Sequence, residues 1–284
     1  GTYGPDNCTI AVTDNATNTS DNLSVSSFTI DTVKPVLAPV TAVTTPTDNT
    51  TPAYSFKSTE PGTNSYGGSC GSSSTSEITE VTKDNVTIIL TQTDNSTALS
   101  EGSYSCIITV TDPAGNPSTE LFVNTFEVDT TAPTVSSTSP TDNLSSVSVS
   151  VSDNISVTFS DSMDNTTVTT NTSDTTCSGY SFQVSSDNFS SCVQMSSSPS
   201  SSSNEYADDT FTVTPLLKMF YSVTYKIRVT DAAEDRAGNN IANSDNLTQT
   251  DGFKTTITIP TTAGSAHSCF MLDNGSVKCW GKNN

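Results

Sequence analysis

The stretch GSYSCIITVTDPAGN, residues 102–116, decides how the whole chain is read. Tyr104, Cys106, Ile108 and Val110 fall on alternate positions, and a period of two predicts a strand with one buried face. DPAGN then predicts a turn. Gly115 can take a positive φ, and the side chains of Asp112 and Asn116 can bond nearby backbone amides. The same alternation in NISVTFS puts Ile155, Val157 and Phe159 on one face, with Ser and Thr between them, which suit an exposed strand face. No long amphipathic helical pattern appears, so the chain is expected to be all-β.

VTDPAGN (110–116) has two companions, VTDNATN at 12–18 and VTDAAEDRAGN at 229–239. Setting Cys8 against Cys106 fixes an offset of 98 residues, which aligns Ile10 with Ile108, Asp14 with Asp112, Phe28 with Phe126, and IDTVKP with VDTTAP. Thr17 stands where Gly115 does, so the first copy is expected to turn by another route. Upstream the register slips, because Tyr3 is five residues before Cys8 whereas Tyr104 is two before Cys106. A period near one hundred residues marks a domain repeat and is too long for a solenoid unit. The expected division is the tail of one domain at 1–35, a complete copy at 36–133, a different domain at 134–258 and a partial repeat at 259–284. With no initial Met and a stop in mid-motif, the sequence is expected to be part of a longer protein, its signal and anchor elsewhere. TVKPVLAP and TTAPTV read as short links that proline keeps from bending freely.

Ten Lys and Arg stand against 30 Asp and Glu, a net charge of −20. Nucleic-acid binding needs basic clusters that displace counterions from phosphates, and none exists. No apolar run is long enough to span a bilayer. Leu, Ile, Val and Phe make up about a fifth of the chain, the edge of the disordered range. Their placement on strand faces is what argues for folding.

The seven cysteines follow the repeat. Cys70 and Cys106 share the complete copy, Cys177 and Cys192 flank one segment of the next domain, and Cys269 and Cys279 lie near the C-terminus. Three local disulfides are expected, Cys70–Cys106, Cys177–Cys192 and Cys269–Cys279. Cys8 is left unpaired because the counterpart of Cys70 would precede residue 1. The competing reading is seven reduced, buried thiols, which suits a cytosolic chain better than such local pairs do. No cysteine spacing fits zinc.

These residues carry resemblances. TPAYSFKSTEPGTNSYGGSC followed by GSYSCIITVTDPAGNPSTELFVNTFEVDTTAP resembles the bacterial immunoglobulin-like repeats of secreted and surface proteins, and 1–35 resembles their tail. Tyr104, two residues before Cys106, resembles the tyrosine corner of immunoglobulin sandwiches. The domain has no Trp, and Cys70 follows Gly67-Gly68-Ser69 in an expected loop, so the resemblance does not extend to the antibody core disulfide. ISVTFSDSMDNTTV, FTVTP, YKIRVTDAAEDRAGN and FKT, in that order, resemble the S-layer-type bacterial immunoglobulin-like domain. AGSAHSCFMLDNGSVKCWGKNN resembles a blade repeat of the regulator-of-chromosome-condensation propeller through His267, Ser268, Cys269, Asp273, Gly275, Val277, Lys278, Cys279, Trp280 and Gly281, with DNG as a hairpin signal. Between these pieces SSCVQMSSSPSSSSNEYADD reads as a flexible surface loop within a serine-rich stretch at 186–204.

Catalysis finds little support. His267 is the single histidine, without a placed nucleophile or orienting acid. Asp161 and Asp164 read as solvated turn residues before an acid–base pair, and no phosphate loop or dinucleotide fingerprint occurs. The expectation is a protein that is not an enzyme. The acidic turns have two readings, a turn alone or a calcium site, since calcium takes six to eight oxygens. Candidate ligands are Asp112, Asn116 and Asp129 in one domain, where a shared end of the sandwich could bring them together, and Asp231, Asp235 and Asn239 in the next. Calcium at such junctions is what the resemblance to surface proteins with immunoglobulin-like repeats implies. The sequons of the chain read as accidents of an Asn-, Ser- and Thr-rich composition. Function is expected to be that of a spacer or stalk in a secreted or cell-surface bacterial protein, presenting a distal recognition domain, with neighbouring domains of the same chain as partners. The alternative is an adhesin-type module that contacts a glycan or protein through sandwich loops. A third is an accessory part of a secreted enzyme.

Overall fold

A computed structural model describes residues 1–4, 8–150, 152–202, 209–241, 249–255, 267–271 and 277–281. Two compact units divide the chain, Gly1–Asp129 and Thr130–Asn284. Among the described residues there is no helix, and so none long and apolar enough to cross a membrane.

The first unit begins with β1 (Thr2–Tyr3), β2 (Thr9–Ile10), β3 (Leu23–Ser24) and β4 (Phe28–Thr29). It continues through β5 (Leu37–Thr41), β6 (Ala53–Ser58), β7 (Gly62–Gly68), β8 (Gly71–Ser72) and β9 (Glu77–Ile78). Then come β10 (Val86–Thr91), β11 (Gly102–Tyr104), β12 (Cys106–Thr111), β13 (Leu121–Phe122) and β14 (Phe126–Val128). Two four-stranded sheets, ordered β5-β6-β10-β8 and β13-β12-β7-β9, form the sandwich of residues 37–128. Alternation decides what lies between them. Tyr54 and Phe56 of β6, Ile88 and Leu90 of β10, and Cys106, Ile108 and Val110 of β12 are all buried. Burying each large aliphatic or aromatic side chain contributes about 1.5–3 kcal/mol before entropy is charged against it.

Tyr104 makes the tyrosine corner, its hydroxyl donating to Ser100 O at 2.7 Å. Its ring stacks on Phe126, its β14 partner, with centroids 5.6 Å apart. The first copy repeats this pair: Tyr3 is opposite Phe28 and stacks on it at 5.4 Å. Tyr3 therefore fills the place of Tyr104, and the slip in sequence register leaves the pairing intact. What differs is burial. Phe126 is 1 % exposed and Phe28 42 %.

The Cys70–Cys106 disulfide is present, with Cα atoms 5.3 Å apart. Gly67 and Gly68 belong to β7, where a loop was expected, and Cys106 pairs with Gly68. The bridge thus ties the β7–β8 corner to the first residue of β12. It does not staple the two sheets across mid-core as the antibody disulfide does.

The second unit contains β15 (Val135–Ser139), β16 (Leu144–Val149), β17 (Ile155–Phe159), β18 (Phe182–Ser185) and β19 (Ser200–Ser201). It ends with β20 (Thr210–Val213), β21 (Thr224–Val229), β22 (Phe253–Thr255), β23 (His267–Met271) and β24 (Val277–Gly281). Its sheets are β15-β17-β20-β19 and β16-β22-β21-β18, and Ile155, Val157, Phe159, Phe182, Phe211, Ile227 and Phe253 fill the core. The serine-rich stretch corrects its sequence reading. Met195 is fully buried and Cys192 nearly so, bridged to Cys177. Backbone bonds run from Val193 N to Val184 O, Met195 N to Asn171 O and Ser196 N to Thr214 O, and β19 pairs with β20. Residues 192–201 are therefore knitted into the sandwich. Two anchors three residues apart have no strand period, and the serines around them look like loop. Residues 203–208 lie outside the described residues.

In the C-terminal hairpin Cys269 pairs in register with Cys279, and Cys279 is disulfide-bonded. The expected DNG turn at 273–275 lies outside the described residues. Cys8 is a free thiol.

Candidate functional site

The three acidic phrases fold as one turn. Asp112 N donates to Asn116 O at 3.1 Å, and Gly115 N to Asp112 O at 3.1 Å. Asp14 with Asn18 and Thr17 does the same at 2.9 and 3.0 Å, and Asp235 with Asn239 and Gly238 at 3.0 and 3.3 Å. The side chains close the loop. Asp112 Oδ1 accepts from Asn116 N and Oδ2 from Asn116 Nδ2, both at 2.8 Å. Asp235 Oδ1 accepts from the amides of Ala237, Gly238 and Asn239, and its Oδ2 takes Asn239 Nδ2. The bond from Asn116 holds the Asp112 carboxyl below its ordinary range, and Asn18 does so for Asp14. Thr17 does not turn by another route: it takes φ 71° where Gly115 takes 93° and Gly238 101°. The Asp–Asn clasp thus encloses a left-handed residue whether that residue is Thr or Gly.

The clasp employs both Asp112 oxygens, with the amides of Ala114 and Gly115 also bonding to the carboxylate, which has lone pairs enough for a further partner. What surrounds it was not expected. A pocket of about 530 Å³ beside Asp112 is lined by Asp31, Glu60, Glu80 and Thr29 among others. Asn116 Nδ2 also donates to Asp31 O at 3.1 Å, tying the turn to the exit of the preceding repeat. Val36 N donates to Thr59 Oγ1 and Thr59 N to Val36 O, which hold that exit strand beside Glu60. Lys83 pairs with Glu80. Glu60 Oε2 is buried, with no hydrogen-bond partner among the described residues. Burial first, then the charges of Asp31 and Asp112, push the Glu60 carboxyl above its ordinary value. An orphaned carboxylate oxygen among further carboxylates fits a hard cation that takes oxygen ligands, such as calcium.

Asp129 is not part of this group. Val128 pairs with Gly102, the first residue of β11, while Asp112 follows Thr111, the last of β12. Nine residues of extended chain separate those ends by roughly 30 Å, so Asp112 and Asp129 stand at opposite ends of the sandwich. The aspartate brought to Asp112 is Asp31, one repeat before Asp129. The expected meeting of Asp112 with Asp129 is the part that the strand pairing does not bring about. In the second unit Asp231 is exposed, its carbonyl accepting from Asn240 Nδ2. Asp161 is a carboxylate that lies beside Asp235, their oxygens within 4.8 Å. Met163 bridges to Asp235 and Arg236 N donates to Ser162 O, which bring the two loops together. Glu60 and Asp161 share one signal, an acid just after a strand that ends in an inward residue.

Among known proteins, residues 129–256 match the family model of the bacterial Ig-like domain, and residues 261–284 that of the regulator of chromosome condensation (RCC1) repeat. No curated protein matches the chain. A solved structure, the tetra-tandem repeat in the extending region of a large adhesion protein, is 16% identical, with a TM-score of 0.27, over 82% of this chain and 53% of that one. The chain therefore spans about half the length of that structure. On the family matches, the chain carries a bacterial Ig-like domain at 129–256 and an RCC1 repeat at 261–284.

Proposed function

We propose that this chain is a spacer segment of a secreted or cell-surface bacterial protein, whose immunoglobulin-like domains are joined at junctions that take calcium. The observation that carries the reading is the pocket where Asp31, leaving one repeat, meets Glu60 and Asp112 of the next, with Glu60 Oε2 buried and unpartnered. Asp31, Glu60 and Asp112 would supply oxygens, and Asn116 would hold both Asp112 and the Asp31 carbonyl in place. The ion would offset the repulsion among the carboxylates and so stiffen the link. Asp161 and Asp235 are a second carboxylate pair suited to the same ion. The disulfides support an oxidising compartment. The bacterial Ig-like match supports placing the chain among extracellular or surface proteins.

Thermal unfolding of the 284-residue chain in millimolar calcium, and again in chelator, tests the junction. A shift that is lost in Glu60→Gln/Asp112→Asn supports it, and no shift in the parent chain ends it. The spacer role has its own test. Replacing residues 36–258 in the full-length protein by unrelated sandwiches of similar length should leave binding by the distal domain intact. Loss of that binding would favour a contact role for the sandwiches themselves.

A further inference from the structure

The first unit has a second pocket, of about 520 Å³, between β7 and the loops that follow β7 and β10. In a chain with 30 acidic residues, no charged side chain among the described residues lines it. Asn64 is 5 % exposed and lines it, its Oδ1 without a partner among the described residues. Its Nδ2 donates to Tyr66 Oη at 3.1 Å, so the phenol acts as acceptor there and keeps its own O–H to give. Ser72 Oγ accepts from Ser74 N at 3.1 Å, and Ser74 Oγ from Ile89 N at 2.9 Å. Both hydroxyls likewise keep a proton to donate. The wall thus offers one buried acceptor beside several neutral O–H donors, around a half-buried aromatic ring.

We infer that this pocket binds a neutral saccharide of one or two units. A sugar hydroxyl both donates and accepts, and neighbouring hydroxyls on a ring would meet Asn64 Oδ1 and the Tyr66, Ser72 and Ser74 hydroxyls together. Leaving Asn64 Oδ1 without a donor is costly for a buried group, which favours a ligand that supplies one. The alternatives fit less well. An anion would suit the hydroxyls but would find no donor need met at Asn64 Oδ1, and it would approach a protein of charge −20. A cation would find no carboxylate. An added peptide strand needs the free edge of β7, and Asn64 N is already bonded to Ser76 O at 2.6 Å. The volume lies within the range of small-ligand sites. Neither calcium nor spacing enters this reasoning, so its failure would leave the spacer reading untouched.

The test is ligand-observed NMR on the 284-residue chain with glucose, galactose, mannose and N-acetylglucosamine, run with chelator present. At least one should bind with a dissociation constant on the order of 1 mM, the scale expected for a dozen heavy atoms. Asn64→Ala removes the orphan acceptor. It should weaken binding at least tenfold while the melting temperature holds or rises. Ser76→Arg places a long charged side chain from the exposed rim and should abolish binding in a chain that still folds. The inference is overturned if no neutral sugar binds at ten times that concentration. It is equally overturned if only charged sugars bind, or if binding survives both substitutions.

Discussion

The two copies of the Tyr/Phe–Asp-turn unit, at residues 3–30 and 104–128, share nearly every local feature and differ in burial. Each stacks a Tyr on a Phe within 6 Å and closes an Asp–Asn clasp around a left-handed residue. Yet Ile10 is 53 % exposed where Ile108 is wholly buried, and Asp14 is exposed where Asp112 is 6 % exposed. Turn and pairing are therefore set by local sequence. The acidic site needs more than the turn, because it depends on chain brought from elsewhere, Asp31 and Glu60.

The largest expected difference between the copies is their answer to calcium. At 100 times its dissociation constant, an ion bound only to the folded state adds about 2.7 kcal/mol. Glu60→Gln/Asp112→Asn should remove that gain in calorimetry, whereas Asp14→Asn should leave it. Equal loss from both would mean that the clasp alone binds. Next in size is Gly115→Thr, which puts a β-branched residue at φ 93° and should cost about 1–2 kcal/mol in denaturant unfolding.

The reverse exchange, Thr17→Gly, relieves Thr17 of φ 71° and should stabilise the first copy by up to about 1 kcal/mol, read as protection of its amides from hydrogen exchange. No gain would show that the clasp tolerates Thr without strain. The smallest effect is on pH. The Glu60 carboxyl lies above its ordinary 4.5 in the folded chain, so the unfolded chain ionises first. Without calcium, the parent should lose stability relative to Glu60→Gln as pH rises from about 4.5 through the folded value, and the two should converge below about 4.5, where both states are protonated. Asp112 has the opposite sign, its contribution being lost as pH falls below 3.8.

Period-two alternation made the strand faces of 104–110 and 155–159 legible, because sheet side chains reverse face at every residue. The clasp was legible in its Asp and Asn. Three features were not. Thr17 hid a left-handed turn because that conformation is usually credited to glycine. Cys192 and Met195 hid an ordered segment among serines, since two anchors make no period. Asp31 hid the acidic site because its partners belong to the next repeat, and the offset of 98 aligns equivalent residues without saying which of them meet.

The Cys70–Cys106 bridge has a mechanical consequence. It closes the chain between Cys70 and Cys106, a sequence separation of 36, into a ring at the end of the sandwich, containing β8, β9, β10 and β11. Were the chain pulled by its two ends, the tension would pass through the sulfur atoms and leave that ring slack. About 120 Å of contour would be withheld from extension. A domain torn open under load would thus keep much of its chain gathered near the break, ready to close again when the load is released.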